Sequence, residues 1–153
     1  MGKSLFSKFS LPLMIPATVF TVGVNMLSAA AQPEAIYSPV PLAAGSEVTD
    51  VLSESDIPTG YGGFYRDYTV TFAEGDMVLM DLRSEEFDTI IALIAPDGRT
   101  IGENDDGPDG TTNSLLFTRI VQAGDYIVRV SPYAGQGMGT FTLNVIRLQP
   151  VNE

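Results

Sequence analysis

The chain has 153 residues and contains no cysteine, no histidine and no tryptophan. Those absences remove whole classes of chemistry. A Ser-His-Asp triad, a Cys-His dyad and a histidine-ligated zinc site cannot be assembled. No disulfide can staple the fold, and no thiol is present to carry a lipid. Carboxylate chemistry remains open, with Glu85/Glu86 and Asp105/Asp106 as adjacent acids. A glycosidase-type pair needs carboxyls roughly 5–9 Å apart across a cleft, whereas neighbours on a strand point to opposite faces. The expectation is a protein that is not an enzyme. A small carboxylate-dependent hydrolase is the catalytic alternative.

Positive charge is also scarce, and its placement is informative. The two lysines, Lys3 and Lys8, precede an apolar run, "LPLMIPATVFTVGVNMLSAAA" (11–31), that ends in three alanines. A basic start, an apolar stretch and small residues at its end form the pattern of a secretory signal. Residues 1–31 are therefore expected to be removed on export, leaving no stable membrane insertion. Retention as an anchor is the other reading, although Pro12, Pro16 and Asn25 weaken a spanning helix. All 19 acids follow residue 31, against six arginines and no lysine, so that part carries a net charge of −13. Such a surface repels phosphate backbones and anionic lipid, which argues against nucleic acid as a partner. A cation or the basic surface of another protein suits it better. About 120 residues suffice for one ordinary core.

Residues 32–47, rich in proline, alanine and serine, read as an extended linker. From 48 to 149 the sequence runs in short alternating stretches. Strands are expected at 48–52, 65–73, 77–83, 87–95, 99–103, 114–121, 126–132 and 140–148. Tyr68, Val70 and Phe72 share one face of their strand, as do Val78, Met80 and Leu82 of theirs. "FDTIIALIA" (87–95) is apolar on both faces, as a central strand should be, while 99–103 reads as lying near an edge. "PDG" (96–98) carries turn chemistry. No helical period is present. The fold class is all-β, an antiparallel β-sandwich of jelly-roll-like type.

"GENDDGPDGTTNS" (102–114) packs acids and amides among glycines. The helix-loop-helix calcium pattern fails there. Counting from Asp105, Gly107 falls where a ligand is required, and Leu116 falls where the closing glutamate belongs. Calcium accepts looser oxygen sets, so Asn104, Asp105, Asp106 and Asp109 form one candidate site. The same residues are also turn formers that bond their own backbone. Asp56 and Asp67 flank "GYGGFYR" as a second acidic pair. Tyr61, Phe64 and Tyr65, set among glycines, either stack on a ligand or cover the end of the sandwich.

The order of "DYTVTF" (67–72), "EGDMVLMDLRSEEFDTIIALIAPDG" (74–98), "ENDD" (103–106), "NSLLFT" (113–118), "AGDYIVRVSP" (123–132) and "GTFTLNV" (139–145) resembles the bacterial pre-peptidase C-terminal domain. The collagen-binding domains of clostridial collagenases are related to it. The resemblance spans roughly 48–148. It implies a non-catalytic module, calcium-dependent stability, and calcium ligated near the linker and the following strand start, where Asp67 stands. It also implies a strand-face binding surface, with Arg119, Tyr126 and Arg129 at the corresponding places. The resemblance differs in one respect, since a signal, a linker and the module, without a protease domain, are the expected organisation of these 153 residues. The function expected is a secreted or periplasmic binding or accessory module that acts on a protein or polysaccharide surface or assists an exported protein. A structural envelope or matrix protein held together by calcium is the alternative.

Overall fold

The computed structural model describes residues 37–149 apart from Asp109. These residues fall within one compact unit that begins at Ala35. The expected signal (1–31) lies outside the described residues, as does Asp109.

Ten strands account for most of the described chain: β1 (Val40–Pro41), β2 (Glu47–Leu52), β3 (Ile57–Pro58), β4 (Phe64–Phe72), β5 (Met77–Arg83), β6 (Thr89–Ile94), β7 (Thr100–Asn104), β8 (Ser114–Arg119), β9 (Gly124–Pro132) and β10 (Gly139–Leu148). The eight longer ones match the runs expected from alternation to within two residues at nearly every end. One sheet runs β1-β4-β9-β6-β7, with β3 also on β4, and the other runs β2-β10-β5-β8. Every pairing is antiparallel except β1 with β4. The result is an all-β sandwich. β7 stands at an edge, as expected for 99–103.

Alternation dictates the core. Tyr68, Val70 and Phe72 face Val78, Met80 and Leu82 across the layers, and all are buried. Ile91, Leu93, Val128, Val130, Phe141, Leu143 and Val145 fill the space between them. Each such side chain contributes roughly 1.5–3 kcal/mol by leaving water. At the "PDG" turn Gly98 takes a φ of 84°, open to glycine at no steric cost. Its N–H closes the turn on Ala95 O at 2.8 Å.

The stretch read as a linker is docked over its described part. Val40–Pro41 pairs with Tyr68–Thr69, Leu42 N–H bonds Thr69 O at 2.9 Å, and Leu42 and Ala44 pack against the core. Two-residue strands such as β1 and β3 carry no period, so alternation could not show them.

Strand directions sort the connections into two sets. The chain leaves β2, β3, β5, β7 and β9 at one end of the sandwich. It leaves β1, β4, β6 and β8 at the other. The first set holds "GYGG", "SEEFD", the stretch from Asp105 to Asn113 and "YAGQGM". This is the loop end.

Candidate functional site

The loop end is welded together by backbone. Thr59 N–H bonds Gly63 O at 2.8 Å, and Thr59 Oγ1 accepts from the Tyr61 and Gly63 N–H groups. Gly63 lies so close to the facing loop that a Cβ there would sit 2.4 Å from Gly135 O. Only glycine permits that approach. Tyr133 N–H reaches Asp88 O at 2.8 Å, and Thr89 N–H reaches Thr112 O at 3.0 Å. Ser84 N–H bonds Asn113 Oδ1 at 3.1 Å. Phe87 packs inward, its ring edge-on to Phe141 at 6.5 Å.

Large side chains are left standing on this frame. Tyr61 is 92% exposed, and Tyr133 and Met138 are exposed on the adjoining loop. Phe64, expected among the ligand-binding aromatics, is instead partly buried against the core. From this end along the outer face of the four-stranded sheet, Glu85, Glu86, Asp81 and Glu47 line a groove of about 720 Å³ with Arg83 as its one cation among the described residues. Asp81 is held by Arg83 at 2.6 Å.

Tyr65 and Asp67 belong to a different construction. Asp67 and Arg129 are register partners on β4 and β9. Arg129 donates Nε–H to Asp67 Oδ1 and Nη2–H to Oδ2, both at 2.8 Å. Tyr37 donates its hydroxyl to Asp67 Oδ2 at 2.6 Å, and the guanidinium lies 3.7 Å above the centre of the Tyr65 ring. The hydrogen-bonded carboxylate raises Arg129 above its usual value, against the opposing effect of burial. Burial, followed by the hydrogen bond to Asp67, pushes the Tyr37 hydroxyl up to about 12.

Arg66 forms a second clasp. It donates to Asp56 Oδ1 at 2.7 Å and Oδ2 at 3.1 Å, and its third nitrogen pairs with Asp50. Tyr68 donates to Asp50 Oδ2 at 2.9 Å. Burial works to raise Asp50, but hydrogen bonds from Arg66, the Val51 N–H and Tyr68 outweigh it and hold the carboxyl below its usual value. That direction suits an ion pair and is the wrong one for a proton donor.

These contacts answer the calcium expectation for the described residues. Both oxygens of Asp56 and both of Asp67 already accept from a guanidinium, so a cation there would have to displace an arginine. Asn104 turns its amide inward, donating to Asp106 O at 2.5 Å and Leu115 O at 2.8 Å. It is a turn former. Asp105 and Asp106 stay on that connection, and among the described residues no three acidic side chains gather as metal ligands. Among the described residues, Asp56 and Asp67 are committed to ion pairs and Asn104 to a turn.

The strand-face trio is not a single surface. Arg119 lies on β8 of one sheet and Arg129 on β9 of the other. Tyr126 points into the core and donates its hydroxyl to Gln122 O at 2.8 Å. Tyr126 shares the parity of Val128 and Val130, so alternation already placed it inside. Tyr37, Tyr133 and Met138 were not singled out from the sequence. Only the cross-strand register and the gathering of the loops reveal them.

No family model and no curated protein sequence matches the chain. Solved structures do match it. The pre-peptidase C-terminal domain of collagenase from Bacillus anthracis superposes with a TM-score of 0.55 at 12% identity, covering 71% of this chain and 94% of that one. The fold is that of the pre-peptidase C-terminal domain. PliG of Aeromonas hydrophila, a periplasmic inhibitor of g-type lysozyme, also shares it, with a TM-score of 0.55 at 17% identity and coverage of 72% and 96%. Within this fold the sequence resemblance and the observed sandwich coincide. Among the described residues no helix is long and apolar enough to cross a membrane.

Proposed function

We propose that the chain is an exported, non-catalytic module that holds a basic protein partner at its loop end. The observation that carries this reading is Tyr61, almost wholly exposed on a loop whose backbone lies closely against its neighbour at Gly63 and Gly135. A rigid aromatic presented to solvent supplies contact area at little entropic cost, as anchor residues of interfaces do. Tyr133 and Met138 extend the apolar surface, and the acidic groove beside it favours a cationic partner. The described residues of the loop end offer acids and hydroxyls without a base or nucleophile arranged to act on a substrate. Two proteins of the same fold agree with this reading. One is a domain appended to a collagenase, and the other is named as an inhibitor of an enzyme, a role that needs binding and no turnover.

The test is capture from the extracytoplasmic fraction with the wild-type chain and with a Tyr61→Ala/Tyr133→Ala variant. A discrete basic protein retained by the former and lost by the latter, at equal melting temperature, supports the proposal. Retention by both, retention of a polysaccharide in its place, or turnover of a substrate by the purified chain contradicts it.

A further inference from the structure

β8 is the outer strand of the four-stranded sheet and pairs with β5 on one side. On its other side the second residue, Leu115, is capped. Leu115 N–H bonds Asp106 O at 3.3 Å, and Leu115 O accepts from Asn104 Nδ2 at 2.8 Å. These bonds show that the backbone groups of Leu115 point away from β5. Backbone groups alternate sides along a strand, so the N–H and C=O of Phe117 and Arg119 point away from β5 as well. Among the described residues nothing pairs with them.

Leu115 and Phe117 make the outward side of this edge apolar, with a single charge, Arg119, at its far end, where an open edge is usually guarded by charge along its length. Ile146, Leu79 and Phe117 lie side by side in register across β10, β5 and β8. The row ends at the open edge on Phe117, which is 52% exposed. The other edges are managed. β1 and β3 cover β4. β7 carries a register shift, Gly102 and the exposed Glu103. β2 carries Glu47 and Asp50, whose carboxylate bonds the Val51 N–H at 2.8 Å.

We propose that the open β8 edge accepts an extended segment of a basic protein partner as an added strand, with an apolar partner residue completing the Ile146–Leu79–Phe117 row. Strand addition supplies backbone hydrogen bonds for affinity and alternate side chains for specificity. Charge selects the occupant. From residue 32 onward the chain holds 19 acids against six arginines, and the connection arriving at the edge carries Asp105 and Asp106. A second copy brings the same negative charge and is repelled, whereas a segment alternating apolar and basic residues is attracted. This surface runs along the side of the sandwich and is separate from the loop end.

The probe is a capped hexapeptide of alternating valine and lysine, titrated into the full chain while amide exchange is followed by NMR. The Phe117 and Arg119 amides should exchange about tenfold more slowly with the peptide bound, as an added strand requires. An alternating valine-glutamate peptide and a backbone N-methylated valine-lysine peptide should produce no protection. Arg119→Pro removes an edge-facing N–H without touching the β5 ladder, and should weaken binding about tenfold. The loss is telling because that change also makes the chain more acidic. Should that variant fail to fold, Phe117→Lys should abolish binding by removing the row's last member. Unchanged exchange at both amides, equal binding of either control peptide, or protection of both amides in a dimer of the free chain would overturn the proposal. Neither variant touches the loop end, so a partner held through Tyr61 would still be captured if this inference alone failed.

Discussion

Asp67 and Arg129 stand directly opposite each other on β4 and β9 and are joined by two parallel hydrogen bonds of 2.8 Å. The Asp67 side chain is 1% exposed, and its arginine is 31% exposed. A carboxylate so deeply buried is tolerated because the fork of the guanidinium and the Tyr37 hydroxyl satisfy it. The contact fixes β4 on β9 and ties the chain before β1 to the same point.

Replacing Arg129 with Met leaves that carboxylate buried without its cation. The expected cost is about 3 kcal/mol, a fall in melting temperature of roughly 12 °C for a domain of this size. Asp67→Leu in the same chain should restore part of the loss, since an apolar pair is cheaper to bury than a lone charge. Thermal melts of the two single variants and the double variant check this.

Stability should also depend on pH in two windows. Tyr37 titrates higher in the fold, at about 12, than the 10.0 of a free tyrosine. Its contribution is therefore complete below pH 10 and is lost as pH rises toward 12. Asp50 titrates below its ordinary 3.8, so its contribution is present above that value and disappears as pH falls through the folded one. Urea melts across pH should show both declines, with Asp50→Asn reducing the acidic one and Tyr37→Phe reducing the alkaline one only in part, since burial and the hydrogen bond to Asp50 raise Tyr68 as well.

Gly63→Ala should pry the two loops apart. The added Cβ would meet Gly135 O at 2.4 Å, backbone that cannot rotate away. Overpacking of this kind costs about 1–3 kcal/mol. Amide shifts should move in both the 59–63 and the 133–138 loops, while those of the opposite end stay in place.

Calcium should leave the melting temperature where the chelator leaves it. A bound ion at a hundred times its dissociation constant would add about 2.7 kcal/mol. The Asp56 and Asp67 oxygens are already taken by Arg66 and Arg129, and Asn104 closes a turn. A rise of several degrees with calcium would contradict that assignment.

Much of the fold was legible in the sequence because a sandwich writes itself in period two. Tyr68, Val70 and Phe72 on one face of β4 and the two-sided apolar run of β6 follow from alternation alone. The same rule placed Tyr126 in the core, and reading it as a surface residue passed over its parity with Val128 and Val130. What alternation cannot supply is register between distant strands. Nothing local links Asp67 to Arg129, 62 positions away, so the acid read as a metal ligand proved to be half of an ion pair. β1 and β3 were missed because two residues have no period. The loop end was legible only in part, through the glycine-rich "GYGGFYR" and the 102–114 stretch. That these meet at one end follows only once strand directions are known.

Contact between Tyr61 and another protein is the central claim. A photoreactive phenylalanine analogue placed at position 61, in the cells that export the chain, tests this directly. Val121, 69% exposed at the opposite end, serves as the matched control position. A discrete protein adduct is expected from position 61 and none from position 121. No adduct from 61, or the same adducts from both positions, would contradict it.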